Sequence, residues 1–422
     1  MMLRFFYTIL LFLLSPILLY SLYKKKDGKP PFHLRWKEHF GFSPPLKSKE
    51  RPIWIHAVSV GEAIAAAPII NALKKQNPAQ PILVTTTTST GAEQIEKLGN
   101  LVEHRYMPID FCFAVRRFLK TTRPENMLIM ETELWPNTLH TVAKFGIPIS
   151  VLNARLSNKS FLGYKKIQPL FNLLSKHLTH ICCQYQDDAE RFIALGVNNE
   201  KVHVTGSVKF DIDITQQIRK SGIDLRIQLG EERPIWIAAS THKGEDEQIL
   251  AAHASLINNT PNALLILVPR HPERFNSAFE LCQNFNFRTI KRTSKQIVTE
   301  NTQVYLGDTM GEMLTLIGAS DICFMGGSLL GDKVGGHNIL EPVALGKPSL
   351  TGPSYFNFQE ITQQLINNNT VTISHNATEL TDSLISIFQN EQYRNFLRKN
   401  ALSFMKKNTG AVMKTLQQIN KI

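Results

Sequence analysis

The sequence lacks the features of a disulfide framework and of a cysteine-rich metal site. Its 422 residues include only five cysteines, an odd number, and these are scattered and lie mostly within apolar runs. No paired C-x-x-C spacing, which would be typical of zinc ligation, is present. The pattern predicts buried free thiols in a reducing compartment and no metal site.

The signatures of common nucleotide-dependent enzymes are also missing. No G-x-G-x-x-G follows the first apolar run, so a nicotinamide cofactor is not expected, and the absence of a P-loop argues against an ATPase. One Asp-x-Asp triplet, Asp211-Ile212-Asp213, lies in a polar stretch, so a metal-bridged diphosphate is not favoured but stays open. Although the net charge is +12, no zinc finger, recognition-helix signature or arginine-rich tail points to nucleic acid. We expect neither a cofactor nor a nucleic-acid partner.

What the chain does have is a long apolar segment at its N-terminus. Residues 5–23 carry no charge and are long enough to reach across a hydrocarbon core of about 30 Å. No small-residue cleavage site follows, which favours a membrane anchor over a signal peptide. The cluster Lys24-Lys25-Lys26 predicts that the body lies on the cytoplasmic side, in contact with anionic lipid head groups. Pro16 leaves a half-inserted anchor open beside a spanning one.

Beyond an anchor over residues 1–26, short apolar runs alternate with helical patterns from 52 to about 206, and this rhythm restarts at 234. Such alternation predicts βαβ units and parallel sheets. We therefore expect an α/β protein with two doubly wound, Rossmann-like domains, over 27–210 and 211–422, facing each other across a cleft. The final helices could fold back on the first domain, and the cleft is the expected active site.

The segment from His56 to Glu62 combines the end of a predicted strand with the start of a predicted helix. Gly61 allows a sharp turn, which puts Glu62 at the carboxyl edge of the first strand, where ligands of open α/β sheets bind. Glu62 could simply complement the helix macrodipole, or it could be a catalytic carboxylate. The same dipole is expected to keep Glu62 ionised.

Other polar residues of the first domain follow predicted strands. Glu131 and Glu133 come directly after an apolar run, and carboxylates there are costly unless they face a cleft or a partner. Lys209 lies near the domain junction, either as a fixed cation near the cleft or as an exposed linker side chain.

The second domain contains two loops with features suited to anion binding. Gly326-Gly327-Ser328 follows a predicted strand and could offer free backbone N–H groups to a phosphate, although a Gly-Gly turn is common. Pro269-Arg270 follows another strand, and the planar guanidinium suits phosphate or carboxylate recognition.

Two further segments open helices near the same edge. Main-chain groups of Met310-Gly311-Glu312 could contact a base. In Asn338-Ile339-Leu340-Glu341, the asparagine suits an N-cap with the glutamate as its capping partner. Alternatively, the carboxylate of Glu341 could bind the vicinal hydroxyls of a ribose.

Taken together, these segments resemble the Kdo transferases over essentially the whole chain. The motifs HAVSVGE, METELWPN, NARLS, TGSVKFD, PRHPER, GDTMGE, GGS and GGHNILEP occur in the order typical of that family. The resemblance implies a GT-B glycosyltransferase that moves 3-deoxy-D-manno-oct-2-ulosonic acid (Kdo) from CMP-Kdo onto the lipid A precursor lipid IVA. It further implies lipopolysaccharide core biosynthesis at the bacterial inner membrane, with inversion and without a metal ion.

The resemblance also implies residue roles. Glu62 corresponds to the general base, and Glu131 and Lys209 correspond to residues that stabilise the transition state. The residues that correspond to CMP-binding positions are Pro269, Arg270, Met310, Gly311, Glu312, Asn338, Ile339, Leu340 and Glu341. One departure is the loop 329–334, which is longer than usual for the family and borders the expected donor site.

Three alternatives stay open at this point. The chain could be a transferase of the same fold that uses another nucleotide sugar. It could also be a non-catalytic lipid-surface protein, although such a protein would be expected to lack Glu62 or Glu341. An epimerase of the same fold would have no need of the apolar N-terminus.

Overall fold

The computed structural model of this chain describes residues 2–24 and 32–420. Lys25 and Lys26 of the basic cluster lie outside the described residues. The chain divides into two units. Unit 1 comprises Met1–Asp211 and Asn408–Ile422, and unit 2 comprises Ile212–Lys407. The boundary between the units therefore falls within the Asp211-Ile212-Asp213 triplet.

Each unit contains a seven-stranded sheet in which all the pairings are parallel. The strands of unit 1 are β1 (Ile53–His56), β2 (Ile82–Thr86), β3 (Glu103–Tyr106), β4 (Asn126–Met130), β5 (Ile149–Ala154), β6 (His180–Cys183) and β7 (Val202–Val204). Those of unit 2 are β8 (Ile235–Thr241), β9 (Leu264–Pro269), β10 (Thr289–Lys291), β11 (Val304–Leu306), β12 (Ile322–Met325), β13 (Ser349–Thr351) and β14 (Val371–Ile373).

Helices connect the strands. They are α1 (Met2–Tyr23), α2 (Val60–Gln76), α3 (Ser89–Glu96), α4 (Cys112–Thr122), α5 (Pro136–Lys144), α6 (Asn158–Lys166), α7 (Gln168–Ser175), α8 (Gln186–Ala194), α9 (Gln216–Leu229), α10 (Asp246–Asn259), α11 (Phe275–Asn284), α12 (Met313–Ala319), α13 (Leu340–Ala344), α14 (Gln359–Asn367), α15 (Ala377–Gln389), α16 (Glu391–Asn408) and α17 (Ala411–Ile419). Among several short 3-10 turns, Val208–Phe210 bears on the site.

The strand order explains where ligands can bind. Unit 1 has the order β3-β2-β1-β4-β5-β6-β7, and unit 2 has β10-β11-β9-β8-β12-β13-β14. In unit 1, Ile55 of β1 pairs with Val84 of β2 and with Leu128 of β4. The order reverses at β1/β4 and at β8/β12, and the crevice outside such a reversal is the usual ligand site of doubly wound sheets.

The apolar strands form these sheets because both of their faces are buried. In β1, Trp54 packs into one core cluster, whereas Ile53 and Ile55 pack into the cluster on the opposite face. The five cysteines are all free, and four of them are buried, as the sequence predicted.

Helix α17 belongs to unit 1, whereas α15 and α16 belong to unit 2. Its residues Val412 and Leu416 join the core cluster that contains the alanines of α2. The carboxylate of Asp211 accepts the N–H groups of Gly410 and Val412, each at 2.6 Å. One carboxylate of the Asp-x-Asp triplet therefore holds the start of α17.

Helix α1 lies along unit 1 with one face. Tyr7 donates its hydroxyl to Asp110 at 2.8 Å, and the hydroxyl of Tyr23 lies 2.7 Å from Nδ1 of His39. The partly buried positions recur every three or four residues, namely Arg4, Tyr7, Thr8, Leu11, Ser15, Leu19, Leu22 and Tyr23. The other faces expose large apolar side chains. Within the described residues, α1 is the helix long and apolar enough to cross a membrane.

Candidate active site

Glu62 is the third residue of α2, at the β1/β4 reversal of unit 1. Ser59 caps the helix, and its hydroxyl both accepts the N–H of Glu62 (3.4 Å) and donates to Oε1 of Glu62 (2.8 Å). The N–H of Val58 donates to Oε2 at 2.8 Å. This arrangement is related to a capping box, except that the carboxyl group accepts the N–H of Val58, the residue before the N-cap Ser59, so Glu62 does stabilise the helix start. The same hydrogen bonds fix the position of its carboxyl group.

The carboxyl group of Glu62 is largely desolvated, since the residue is only 5% exposed. Burial raises its pKa to about 7, an effect that the hydrogen bonds from Val58 and Ser59 oppose and the nearby charges of Glu131 and Glu133 reinforce. With this pKa the Glu62 carboxyl group is divided between its ionised and its protonated form near neutral pH, so desolvation opposes the ionisation that the helix dipole favours. A carboxyl group with this pKa is suited to exchanging protons near neutral pH.

Glu131 and Lys209 come together at the same edge of the sheet. Glu131 directly follows β4, the neighbour of β1, and its backbone is left-handed with φ 57°. Its Oε1 lies 4.0 Å from Nζ of Lys209, and both side chains are partly exposed. The charge of Glu131 also acts on the carboxyl group of Glu62 and raises its pKa. The geometry thus assembles an acid, a second carboxylate and a cation.

Asn153 supports this pair, a role that the sequence analysis missed. It is fully buried in β5 with a left-handed φ of 53°. Its Oδ1 accepts the N–H of Val208 (3.2 Å), which precedes Lys209, while the preceding carbonyl of Leu152 accepts the N–H of Glu131 (2.8 Å). Both partners of the ion pair are therefore anchored to adjacent residues of β5. The available signal was an asparagine at a strand end, a residue that adopts left-handed backbone more readily than most.

In unit 2, Pro269 is the last residue of β9, and Arg270 follows with an exposed side chain. Glu341 lies in the first turn of α13 and accepts a hydrogen bond from Nδ2 of Asn338 at 3.2 Å. Burial raises the pKa of Glu341, and the nearby Arg270 opposes this shift. The structure thus brings Arg270 and Glu341 into one electrostatic neighbourhood.

The helix start near Asn338 differs by one residue from the expectation. The N-cap of α13 is Ile339, not Asn338, and it makes no side-chain cap. Asn338 still accepts the N–H of Leu340 with its Oδ1 at 3.3 Å, because the chain turns just before the helix. The side chains of Asn338 and Glu341 consequently hold each other.

Met310-Gly311-Glu312 precedes α12, as a turn with Met310 exposed and Gly311 in a left-handed conformation. Both oxygens of Glu312 accept hydrogen bonds from Arg292, each at 2.7 Å. These bonds lower the pKa of Glu312 to about 2. The carboxylate is thus engaged within the protein, which leaves the main chain of this turn as its accessible polar surface.

The expectation that the Gly326-Gly327-Ser328 loop offers free amides is wrong. Glu245, which is fully buried, accepts the N–H groups of Gly327 (2.6 Å) and Ser328 (2.9 Å). It also accepts the N–H of Leu329 at 3.0 Å, and the N–H of Gly326 bonds to the carbonyl of Ala239. A carboxylate of the protein itself therefore occupies the anion-binding nest. Sequence spacing could not show this, because Glu245 follows β8 whereas the loop follows β12.

Two family models match this chain. The one described as 3-deoxy-D-manno-octulosonic-acid transferase (kdotransferase) matches residues 34–212, and the one described as glycosyl transferases group 1 matches residues 237–404. A 3-deoxy-D-manno-octulosonic acid transferase of Haemophilus influenzae is 39% identical, over 98% of this chain and 97% of its own length. The chain belongs to the Kdo transferase family. It is accordingly a glycosyltransferase, and the resemblance carried by its motifs is confirmed.

Further comparisons concern one more family member and two solved structures. A probable mitochondrial 3-deoxy-D-manno-octulosonic acid transferase of Arabidopsis thaliana is 31% identical over 89% of this chain and 85% of that protein. The solved UDP-GlcNAc 2-epimerase of Neisseria meningitidis shares the fold, with a TM-score of 0.54 at 15% identity over 88% of this chain and all of that one. The solved C-terminal CMP-Kdo binding domain of WaaA from Acinetobacter baumannii is 40% identical to this chain. That match covers 44% of this chain and has a TM-score of 0.43. The expected GT-B-like fold is confirmed.

Proposed function

We propose that this glycosyltransferase moves Kdo from CMP-Kdo to the lipid A precursor lipid IVA, with inversion at the anomeric carbon and without a metal ion. The observation that carries the proposal is the buried, doubly hydrogen-bonded carboxyl group of Glu62 beside the Glu131–Lys209 pair. A sugar hydroxyl is a very weak acid, so the attacking acceptor needs a positioned base as the new C–O bond forms. Glu62 is that base in the proposal.

The charges of the neighbouring pair suit the transition state of Kdo transfer. As the bond to the phosphate breaks, positive charge develops on the sugar, which a carboxylate such as Glu131 stabilises. Kdo also carries a carboxylate of its own, and Lys209 offers a fixed cation for it. The 4.0 Å ion pair holds both groups in one place.

Unit 2 supplies the donor-binding residues in this proposal. Arg270 provides charge for the phosphate, and Glu341 binds the ribose hydroxyls, its carboxyl group being oriented by Asn338. The remaining CMP contacts fall on Pro269, Met310, Gly311, Glu312, Ile339 and Leu340. CMP-Kdo has a single phosphate, so its departure can be stabilised by fixed cations instead of a metal that bridges two phosphates.

The membrane side of the proposal rests on α1. Tyr7 and Tyr23 are about 24 Å apart along the helix axis, at about 1.5 Å per residue, and both bond to unit 1. A helix that contacts its own domain near both ends is arranged for lying along a membrane surface and not for crossing the bilayer. We infer that α1 is half-inserted along the cytoplasmic leaflet of the inner membrane, where the acceptor lipid is present.

The test uses the full-length protein in detergent with CMP-Kdo and lipid IVA, and the product is weighed by mass spectrometry. We expect a product that is heavier than the acceptor by the mass of Kdo residues. The mass increase divided by the mass of one Kdo residue gives the number of sugars added. Glu62→Gln should retain CMP binding and lose transfer by at least about a thousandfold, whereas Glu93→Gln, at an exposed position of α3, should be active. Transfer from another nucleotide sugar alone would contradict the donor assignment. Near-normal turnover of Glu62→Gln would contradict the base assignment.

A further inference from the structure

Two histidines that this catalytic assignment leaves unused meet in unit 2. His242 follows β8, His337 precedes α13, and their Nε2 atoms are 2.8 Å apart. The rings are nearly parallel, with an angle of 7° between them. At this distance one nitrogen donates and the other accepts, so the two facing nitrogens share a single proton.

This imidazole pair lies at the reversal of the unit 2 sheet. Gly327 follows β12, the neighbour of β8, and a side-chain carbon on Gly327 would lie 2.8 Å from the ring of His337. Only a glycine therefore lets the ring lie over this loop. Because ligands of doubly wound sheets bind at the reversal, the pair is at the place where a ligand is expected.

Two arginines and a third imidazole face the pair. His271 lies edge-on to His242, with 5.3 Å between the ring centroids. Arg270 acts electrostatically on both imidazoles of the pair, and Arg274 acts on His242. This arrangement attracts an anion.

The nearby carboxylates are engaged elsewhere. Glu245 accepts the backbone N–H of His242 and the amides of the glycine loop, and Asp246 forms an ion pair with Arg274. In the described part of the chain, no carboxylate forms a hydrogen bond or an ion pair with either imidazole of the pair. The positive neighbourhood is therefore not neutralised at the imidazoles by the protein itself.

The protonation state follows from this environment. Burial lowers the pKa of both imidazoles and the neighbouring cations add to this effect, and together they bring the pKa of His337 to about 4. Both rings are thus neutral at physiological pH. An anion placed beside them favours the imidazolium form and opposes the effect of the cations.

We propose that His242 and His337, together with Arg270, bind the donor phosphate and take up one proton from solvent when this anion binds. The imidazolium then donates an N–H to a phosphate oxygen. When the bond from the sugar to this oxygen breaks, its electron pair stays on the phosphate, which gains a second negative charge. A hydrogen-bond donor that is already positively charged at that moment, here the imidazolium, stabilises the leaving group. The proposal rests on the proposed function for the identity of the nucleotide.

The test is isothermal titration calorimetry of full-length protein with the methyl ester of CMP. This probe is a phosphodiester, like the donor, and does not itself titrate between pH 6 and pH 8. Titrations at pH 7 in buffers of different ionisation enthalpy give the number of protons taken up. Because an adjacent opposite charge raises a pKa by about one to three units, we expect a fractional proton uptake at pH 7 that increases as the pH is lowered, and none with cytidine, which has no phosphate, or with free Kdo, which has only a carboxylate.

Variants locate the proton. His242→Gln and His337→Gln should each abolish uptake and weaken binding of the ester at least tenfold, more at pH 6 than at pH 8. His375→Gln changes an exposed histidine of the same unit and should leave both quantities unchanged. Binding of the ester by the unmodified protein without proton exchange overturns this inference and leaves the proposed function intact.

The other outcomes separate the two proposals. If the esters of other nucleoside monophosphates bind with proton uptake and the CMP ester does not, the donor assignment fails while the anion site stands. If free Kdo causes the uptake and the CMP ester does not, the pair binds the sugar carboxylate and the phosphate assignment is wrong. If no nucleotide ester binds, both proposals fail.

Discussion

Removal of the Ser59 hydroxyl separates the two roles of Glu62. In Ser59→Ala the hydrogen bond of 2.8 Å to Oε1 is lost, and the helix also loses its capping side chain. A hydrogen bond to a charged group contributes about 1.5–3 kcal/mol, and one pKa unit corresponds to about 1.4 kcal/mol. The pKa of Glu62, already raised to about 7, should therefore rise by about one to two units further.

The consequence is a displaced pH profile. A base must be deprotonated to act, so the kcat/KM of the unmodified protein should increase as the pH rises through about 7. In Ser59→Ala this ascending limb of the pH profile should move up to about pH 8–9. Activity at pH 7 should then fall about 5- to 50-fold and largely return at pH 9.5. The assay is the initial rate of transfer between pH 5.5 and pH 9.5 at saturating donor and at acceptor concentrations below the KM, which gives kcat/KM for the acceptor.

A matched control distinguishes the base from the cap. Thr215→Ala removes the N-cap side chain of α9, which accepts the N–H of Ile218 at 3.2 Å, and should cost a similar stability of about 1 kcal/mol. It should not move the limb. If Ser59→Ala leaves the limb in place, Glu62 is not the group whose deprotonation controls the rate.

Three further predictions concern other parts of the molecule. Asn153→Gly keeps the left-handed backbone but loses the acceptor for the turn before Lys209, so kcat should fall about tenfold with an unchanged KM for the donor. Asn153→Asp keeps an acceptor, so its kcat should fall less. An equal loss of kcat in both variants would argue against a positioning role of Asn153. Glu245→Ala leaves several buried amides without an acceptor, and each such group costs about 1–3 kcal/mol. The free energy of unfolding of unit 2, measured by denaturant titration, should therefore fall by at least about 3 kcal/mol. An unchanged midpoint of the unfolding transition would contradict this account. Fluorescent labels at Phe5 and Leu18, both exposed on α1, should report similar depths in one leaflet by quenching with spin-labelled lipids, whereas depths on opposite sides of the bilayer centre would indicate a spanning helix.

Several elements follow directly from local sequence. The apolar runs at β1, β4 and β8 predict buried parallel strands because both faces of such strands are covered, and the α/β alternation leads to the doubly wound units. β7 (Val202–Val204) was missed, since this short edge strand is only partly buried and lacks an apolar run. Helices α5, α6 and α7 were not predicted either; none of the residues of α6 is buried, whereas α5 and α7 each bury one face.

In the candidate site, too, some features follow from local sequence and others depend on distant segments. Position at a strand end suffices to select Glu62, Glu131 and Arg270, because the carboxyl edge of a parallel sheet is a property of the chain direction. The partners of these residues come from distant segments. Arg292 on Glu312 and Glu245 on the glycine loop could not be inferred from spacing.

The sequence by itself determined the fold class, the apolar N-terminal helix and the family, because periodicity and motifs are local properties. Only the tertiary structure decided the state of the groups within the site. The pKa of Glu62 depends on desolvation by surrounding segments, and the amides of Gly327 and Ser328 are occupied by a carboxylate from another strand end. Burial and hydrogen-bond pairing arise when remote segments pack together, so no local pattern specifies them.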